Sequence, residues 1–178
     1  MWTSLIGFMA SGKSTVARRL QQSTSRPVVS LDTMIEARAG RTIAEIFAGE
    51  GEVAFRRLEL QVLQSEDPDR HLVVDAGGGV VETPAAVELL RKHGVVMWLD
   101  TPWEIVRSRL KQNDGPDRPL VERLGWAGLE ELYQRRRPLY AAAADFRLAG
   151  GPLSADGWAR TVMLRSLLFE RRREGVRT

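Results

Sequence analysis

The chain of 178 residues is 43% hydrophobic and carries 16 Gly, which predicts a single domain over 1–178 with one full core and leaves no room for two sizeable domains. With no Cys and only His71 and His93, a disulfide framework, a thiolate-held zinc and Cys-based catalysis are excluded, and a Ser-His-Asp triad is disfavoured. The formal charge is +3; because Lys occurs only at 13, 92 and 111, 23 of the 26 basic residues are Arg, the forked binder of carboxylates and phosphates.

The 23 acidic residues are interspersed with the basic ones, and no basic run alternates with stacking aromatics, so nucleic acid is not an expected partner. Apolar runs such as 94–99 fall far short of the ~20 residues that cross a bilayer. No charged segment precedes the first apolar run, so export and membrane insertion are not expected and the chain reads as cytoplasmic.

The first apolar run, 2–6, reads as a buried strand, and it leads into Gly7-Phe8-Met9-Ala10-Ser11-Gly12-Lys13-Ser14. This fits G-x-x-x-x-G-K-S/T between a strand and a helix at 13–22, the context a phosphate-binding P-loop requires. Backbone N–H groups from Gly7, Ala10, Ser11, Gly12 and Thr15 would surround ATP or GTP phosphates, Lys13 would reach the outer ones, and Ser14 would ligate Mg²⁺. Ala10 stands where related loops carry Gly, and the loop is expected to tolerate it.

A second strand, 27–31, ends beside Asp32, and helical spacing follows over 32–38 and in one long stretch over 43–63 that contains Arg56 and Arg57. The third strand, 71–76, ends in Asp75-Ala76-Gly77-Gly78-Gly79. Three bare residues at the carboxyl edge of a sheet admit close approach by a small substrate. Thr83-Pro84 and Thr101-Pro102 read as cap residues opening helices at 84–93 and 102–110 on either side of a fourth strand, 94–99.

The segment 112–118 (QNDGPDR) has neither period and reads as a mobile loop. A helix over 129–143 containing Arg135-Arg136-Arg137-Pro138, a weaker strand at 145–148, a helix over 154–170 and a basic tail over 170–178 complete the chain. Strands alternating with helices imply a parallel sheet covered on both faces, an α/β domain of doubly wound type.

The P-loop, D-x-x-I-E at 32–36, G-R-T-I-A-E-I-F, G-E-x-x-F-R, the triple glycine, R-P-L and R-x-P-L-Y together resemble, in order and spacing over nearly the whole chain, the shikimate kinase family. The resemblance implies a P-loop fold like that of nucleoside monophosphate kinases: a five-stranded parallel sheet, a lid over 111–124 and a small helical substrate region. It also implies transfer of the ATP γ-phosphoryl group to the 3-hydroxyl of shikimate, in aromatic amino-acid synthesis, by a monomer acting on small molecules.

By position, the resemblance implies that Arg56 and Arg136 hold the shikimate carboxylate, that Asp32 accepts from the ring hydroxyls and orients the attacking oxygen, and that Gly77, Gly78 and Gly79 line the acceptor. It implies that Arg118, on the lid, closes over the phosphates with Lys13, and that Lys111 lies where the family often stacks an Arg on adenine. Arg57 and Arg135 read as solvated or structural neighbours.

The family pattern is D-x-D-x-x-I-E, with the first Asp holding Mg²⁺ through water; Ser30 replaces it here, and Asp75 is the expected substitute carboxylate. A kinase for another cyclitol or sugar acid such as gluconate, or a regulator that has lost turnover, remain alternatives at this point.

Overall fold

The computed structural model describes residues 1–112, 118–149 and 154–175, with the side chains of 118, 119, 174 and 175 excepted. Five strands, β1 (Trp2–Ile6), β2 (Val28–Ser30), β3 (Val73–Asp75), β4 (Gly94–Asp100) and β5 (Phe146–Ala149), form one sheet in the order β2-β3-β1-β4-β5. Every pairing is parallel. Both faces are covered, so the central strands β1 and β4 are buried along their whole length, while the edge strand β5 alternates between exposed and buried residues. Ile6, Val74, Val96 and Trp98 enter the core on one face, while Leu5, Val73, Val95, Met97 and Leu99 enter the core on the other.

Helix α1 (Lys13–Thr24) follows β1, and α2 (Leu31–Ala39) follows β2 directly. Ser30 caps α2 by accepting from the Thr33 amide. The stretch expected as one helix over 43–63 is two, α3 (Ile43–Gly49) and α4 (Gly51–Ser65). The physical reason is Gly51, whose φ of 78° lies in the left-handed region and turns the chain between them. The turn folds Phe47 onto Phe55, with ring centroids 4.8 Å apart.

A short 3₁₀ turn (Val80–Glu82) leads to α5 (Pro84–His93). Thr83 precedes Pro84 as expected but makes no side-chain cap bond. Thr101 likewise does not open the next helix through its hydroxyl, which donates instead to the Ser11 carbonyl at 3.0 Å and ties β4 to the P-loop.

Helix α6 (Trp103–Gln112) precedes the segment 113–117, the body of the expected lid loop, which lies outside the described residues. Helix α7 (Arg118–Ala143) begins well before the expected 129, kinked where Gly125 adopts φ 65° and ψ 175°. Helix α8 (Ala155–Gly175) absorbs Arg171, Arg172 and Arg173, so most of the expected tail is helical, and the Arg173 guanidinium lies 5.9 Å from the Phe169 ring.

Candidate active site

The P-loop, Asp32 and the triple glycine follow β1, β2 and β3, three adjacent parallel strands, so all reach the same carboxyl edge of the sheet. At Gly7 φ is 147°, and a β-carbon would lie 2.7 Å from the Leu99 carbonyl oxygen; only a bare residue fits. Ala10 does occupy the left-handed region, with φ 55°. Its carbonyl accepts from Arg109 Nη1 at 2.9 Å.

Lys13 is buried, and its ammonium donates to the carbonyls of Gly7 at 3.0 Å and Phe8 at 3.1 Å. Ser14 and Thr15 are exposed in the first turn of α1, which holds no acidic residue to offset the partial positive charge at its start. Lys111 sits with its ammonium 5.7 Å from the Trp126 ring. Arg109, overlooked in the sequence, is the cation of α6 that touches the loop. Arg118 begins α7, and its side chain lies outside the description.

The three glycines face three different neighbours. A β-carbon at Gly77 would lie 3.1 Å from Asp32 Oδ1 and 3.1 Å from Glu59 Oε1; one at Gly78 would lie 3.3 Å from the Met9 amide in the P-loop; one at Gly79 would overlap the Arg56 guanidinium at 1.9 Å. Bare backbone here therefore makes room for the protein's own carboxylates, its phosphate loop and its guanidinium as well as for a ligand. Tyr140 donates its hydroxyl to the Gly78 carbonyl and stacks at 5.9 Å on Trp98. Burial pushes its phenol well above the usual range, so it stays a neutral donor.

Arg136 is 7% exposed, and one turn of α7 separates it from Tyr140. Its Nη2 lies 2.5 Å from Glu82 Oε2. The same oxygen is 3.4 Å from Arg56 Nη2, so the two guanidiniums expected to act as a clamp do converge on one point. Arg56 Nη1 also donates to Glu59 at 3.0 Å. Among the described residues, Arg56 Nε, Arg136 Nε and Glu59 Oε1 are buried without a hydrogen-bond partner, as are Arg137 Nε, Ser4 Oγ and Ser11 Oγ. Arg57 and Arg135 are exposed, Arg135 reaching Glu82 Oε1 at 3.5 Å. Arg137 turns the other way, to Asp100 at 2.9 Å.

Glu59 was not foreseen, although a Glu spaced with Phe55, Val62 and Leu63 on the buried face of α4 was a visible anomaly. Burial, only partly offset by Arg56, raises its carboxyl to about 7. A raised acid pKa favours the protonated form in the fold, so this contribution is complete at low pH and is lost as pH rises from the ordinary carboxylate range through about 7. Glu59→Gln cannot ionise, and its unfolding free energy is expected to gain on the parent by about 2–3 kcal/mol between about pH 5 and about pH 8. Denaturant titrations across that range check the sign; a loss would mean that the Arg56 pair outweighs burial.

Asp75 is buried at the end of β3, in register with Ser30 on β2 and Leu5 on β1. Ser30 and Asp75 thus lie side by side on neighbouring strands. The Ser30 hydroxyl group is engaged with Thr33, whose own hydroxyl lies 3.1 Å away.

The shikimate kinase family model matches residues 9–165. A shikimate kinase of Synechococcus sp. is 44% identical over 140 residues, covering 78% of this chain and 73% of the relative. That of Symbiobacterium thermophilum is 41% identical over 145 residues, covering 81% and 83%. The solved structure of shikimate kinase from Acinetobacter baumannii, in complex with shikimate, superposes with a TM-score of 0.82 at 33% identity, over 92% of this chain and 91% of that one.

Proposed function

The chain belongs to the shikimate kinase family, and on that premise we propose which of its residues carry the reaction. It transfers the γ-phosphoryl group of ATP to the 3-hydroxyl of shikimate, giving shikimate 3-phosphate and ADP, a step of aromatic amino-acid synthesis. The observation that carries the assignment is the convergence of Arg56 and Arg136 on one carboxylate-sized point beside the triple glycine and Asp32.

The two guanidiniums bind the acceptor's carboxylate, and backbone groups of Gly77, Gly78 and Gly79 border its ring. Asp32 accepts a hydrogen bond from the 3-hydroxyl and takes its proton as the oxygen attacks the γ-phosphorus. The bond from that phosphorus to the β,γ-bridging oxygen breaks, and ADP leaves. Gly7, Ala10, Ser11, Gly12, Ser14 and Thr15 hold the phosphates, while Lys13 and Arg118 stabilise the charge that spreads over the transferred group. Lys111 and Arg109 border the nucleotide, and the chain acts as a cytoplasmic monomer with no nucleic acid or membrane partner. No helix among the described residues is long and apolar enough to cross a membrane.

The donor set beside the cradle, a Ser14 hydroxyl and an Asp75 carboxylate, suits a hard cation that keeps most of its waters. Among the described residues no trio of His, Asp or Glu builds a cage for one, which fits Mg²⁺ arriving with the nucleotide. Bound there, the ion supplies neutralisation of phosphate charge. Ser14 would ligate it and Asp75 would hold its waters, taking over from the position of Ser30.

The test follows ADP release from MgATP with shikimate, with gluconate and a nucleoside monophosphate as controls, while Mg²⁺ is varied. Asp75→Asn is expected to raise the half-saturating Mg²⁺ about 10-fold and to weaken MgADP binding in calorimetry while leaving metal-free ADP unchanged. Identical Mg²⁺ curves for both proteins would remove Asp75 from the metal's surroundings.

A further inference from the structure

We infer that Glu82 is a built-in competitor for the acceptor's carboxylate, its own carboxylate bridging the Arg56 and Arg136 guanidiniums that hold that group; the inference rests on the clamp assigned above. One oxygen, Glu82 Oε2, is shared between Arg136 at 2.5 Å and Arg56 at 3.4 Å, and the other faces Arg135 at 3.5 Å. An incoming carboxylate needs the same donors, in the same forked geometry.

The attachment of Glu82 makes it a standing rival rather than a passing one. It closes the 3₁₀ turn that begins one residue after Gly79, and its amide donates back to the Gly79 carbonyl at 2.9 Å. Its carboxylate is therefore tethered a few bonds from the acceptor loop, at a high effective concentration.

Charge favours displacement. Arg56, Arg135 and Arg136 are ion-paired with Glu52, Glu59 and Glu82, and the Glu59 carboxyl, raised to about 7 chiefly by burial, is only partly ionised near neutral pH. A substrate carboxylate adds a negative charge beside Glu82 and Glu52, and like charges sharing a site repel. Glu59 is fully buried and has nowhere to go, and Glu52 lies at the rim with 54% exposure. Glu82, 22% exposed at the end of a turn anchored by the buried Val80 and Val81, can exchange its guanidiniums for water and for Arg135 alone. Only a ligand that brings further contacts, as a polyhydroxylated ring does, gains enough to displace it, so Glu82 screens the clamp against small anions.

The test compares shikimate with its primary amide, which lacks the charge, by calorimetry and steady-state kinetics on the parent, Glu82→Gln and Glu82→Ala. Both variants are expected to bind shikimate about 3- to 10-fold more tightly, with KM following, kcat within about twofold and the amide unaffected. Acetate, expected to inhibit the parent only weakly, should inhibit both variants at correspondingly lower concentration. Unchanged or weaker shikimate binding in both variants, with the parent still preferring the acid to the amide, would overturn the inference and leave the clamp intact. A parent that binds acid and amide equally would overturn the clamp itself.

Discussion

Asp32→Asn is expected to lower kcat by about 10³-fold, while shikimate and MgATP bind within about threefold of the parent. The amide keeps the shape and one acceptor oxygen but cannot take the proton of the attacking hydroxyl. Asp32 stands in the first turn of α2, held there by the Ser30 cap, with its Oδ1 facing the bare Cα of Gly77. Because the Asp32 charge also raises the Glu59 carboxyl, the same substitution should let Glu59 ionise at lower pH, a shift visible in the pH dependence of stability. Single-turnover phosphoryl transfer separates the chemical step from product release. A loss of less than about tenfold would take proton transfer away from Asp32.

Arg136→Met is expected to raise KM for shikimate by about 10²- to 10³-fold, the cost of about 3–4 kcal/mol for losing a buried, charge-assisted pair. KM for ATP should hold within about twofold, because Arg136 belongs to the acceptor side alone. Arg136→Lys keeps the charge without the fork and should fall between. Arg135→Met is the internal control: Arg135 is 69% exposed and 3.5 Å from its partner, and KM should move by less than about twofold. Equal losses at 135 and 136 would mean that the pair acts through its summed charge and not through a clamp.

The frame of the molecule was legible in the residues because its signals are local. A P-loop between a strand and a helix, apolar runs buried on both faces and three glycines after β3 each announce themselves within about ten residues. The breaks were less visible. Gly51 divides a stretch whose apolar spacing continues on both sides, and Gly125 kinks α7 between an early segment, where Leu120, Val121 and Leu124 are spaced as in a helix, and the part expected from 129 on. Which arginine serves the acceptor is not a local property at all. Residues 135, 136 and 137 are identical in the sequence and differ only in the face of α7 they occupy; the family resemblance pointed to Arg136, which is the buried one of the three. Glu82 and Arg109 carried no signal, since each acquires its partners from an element distant in the chain: Arg136, 54 residues on, and the Ala10 carbonyl, 99 residues back.

The run of three arginines also gives the clamp a tolerance to slippage. On a helix successive residues are about 100° apart, so losing or gaining one residue upstream in α7 would move Arg137 or Arg135 into the direction that Arg136 now faces. Either way a guanidinium would still meet Glu82 and the acceptor. The hydroxyl on Gly78 has no such reserve, because Leu139 and Ala141 flank Tyr140. Charge at this site is thus redundantly encoded while the anchoring of the glycine loop is not, and it is Tyr140, more than any arginine, that registers the rotation of α7.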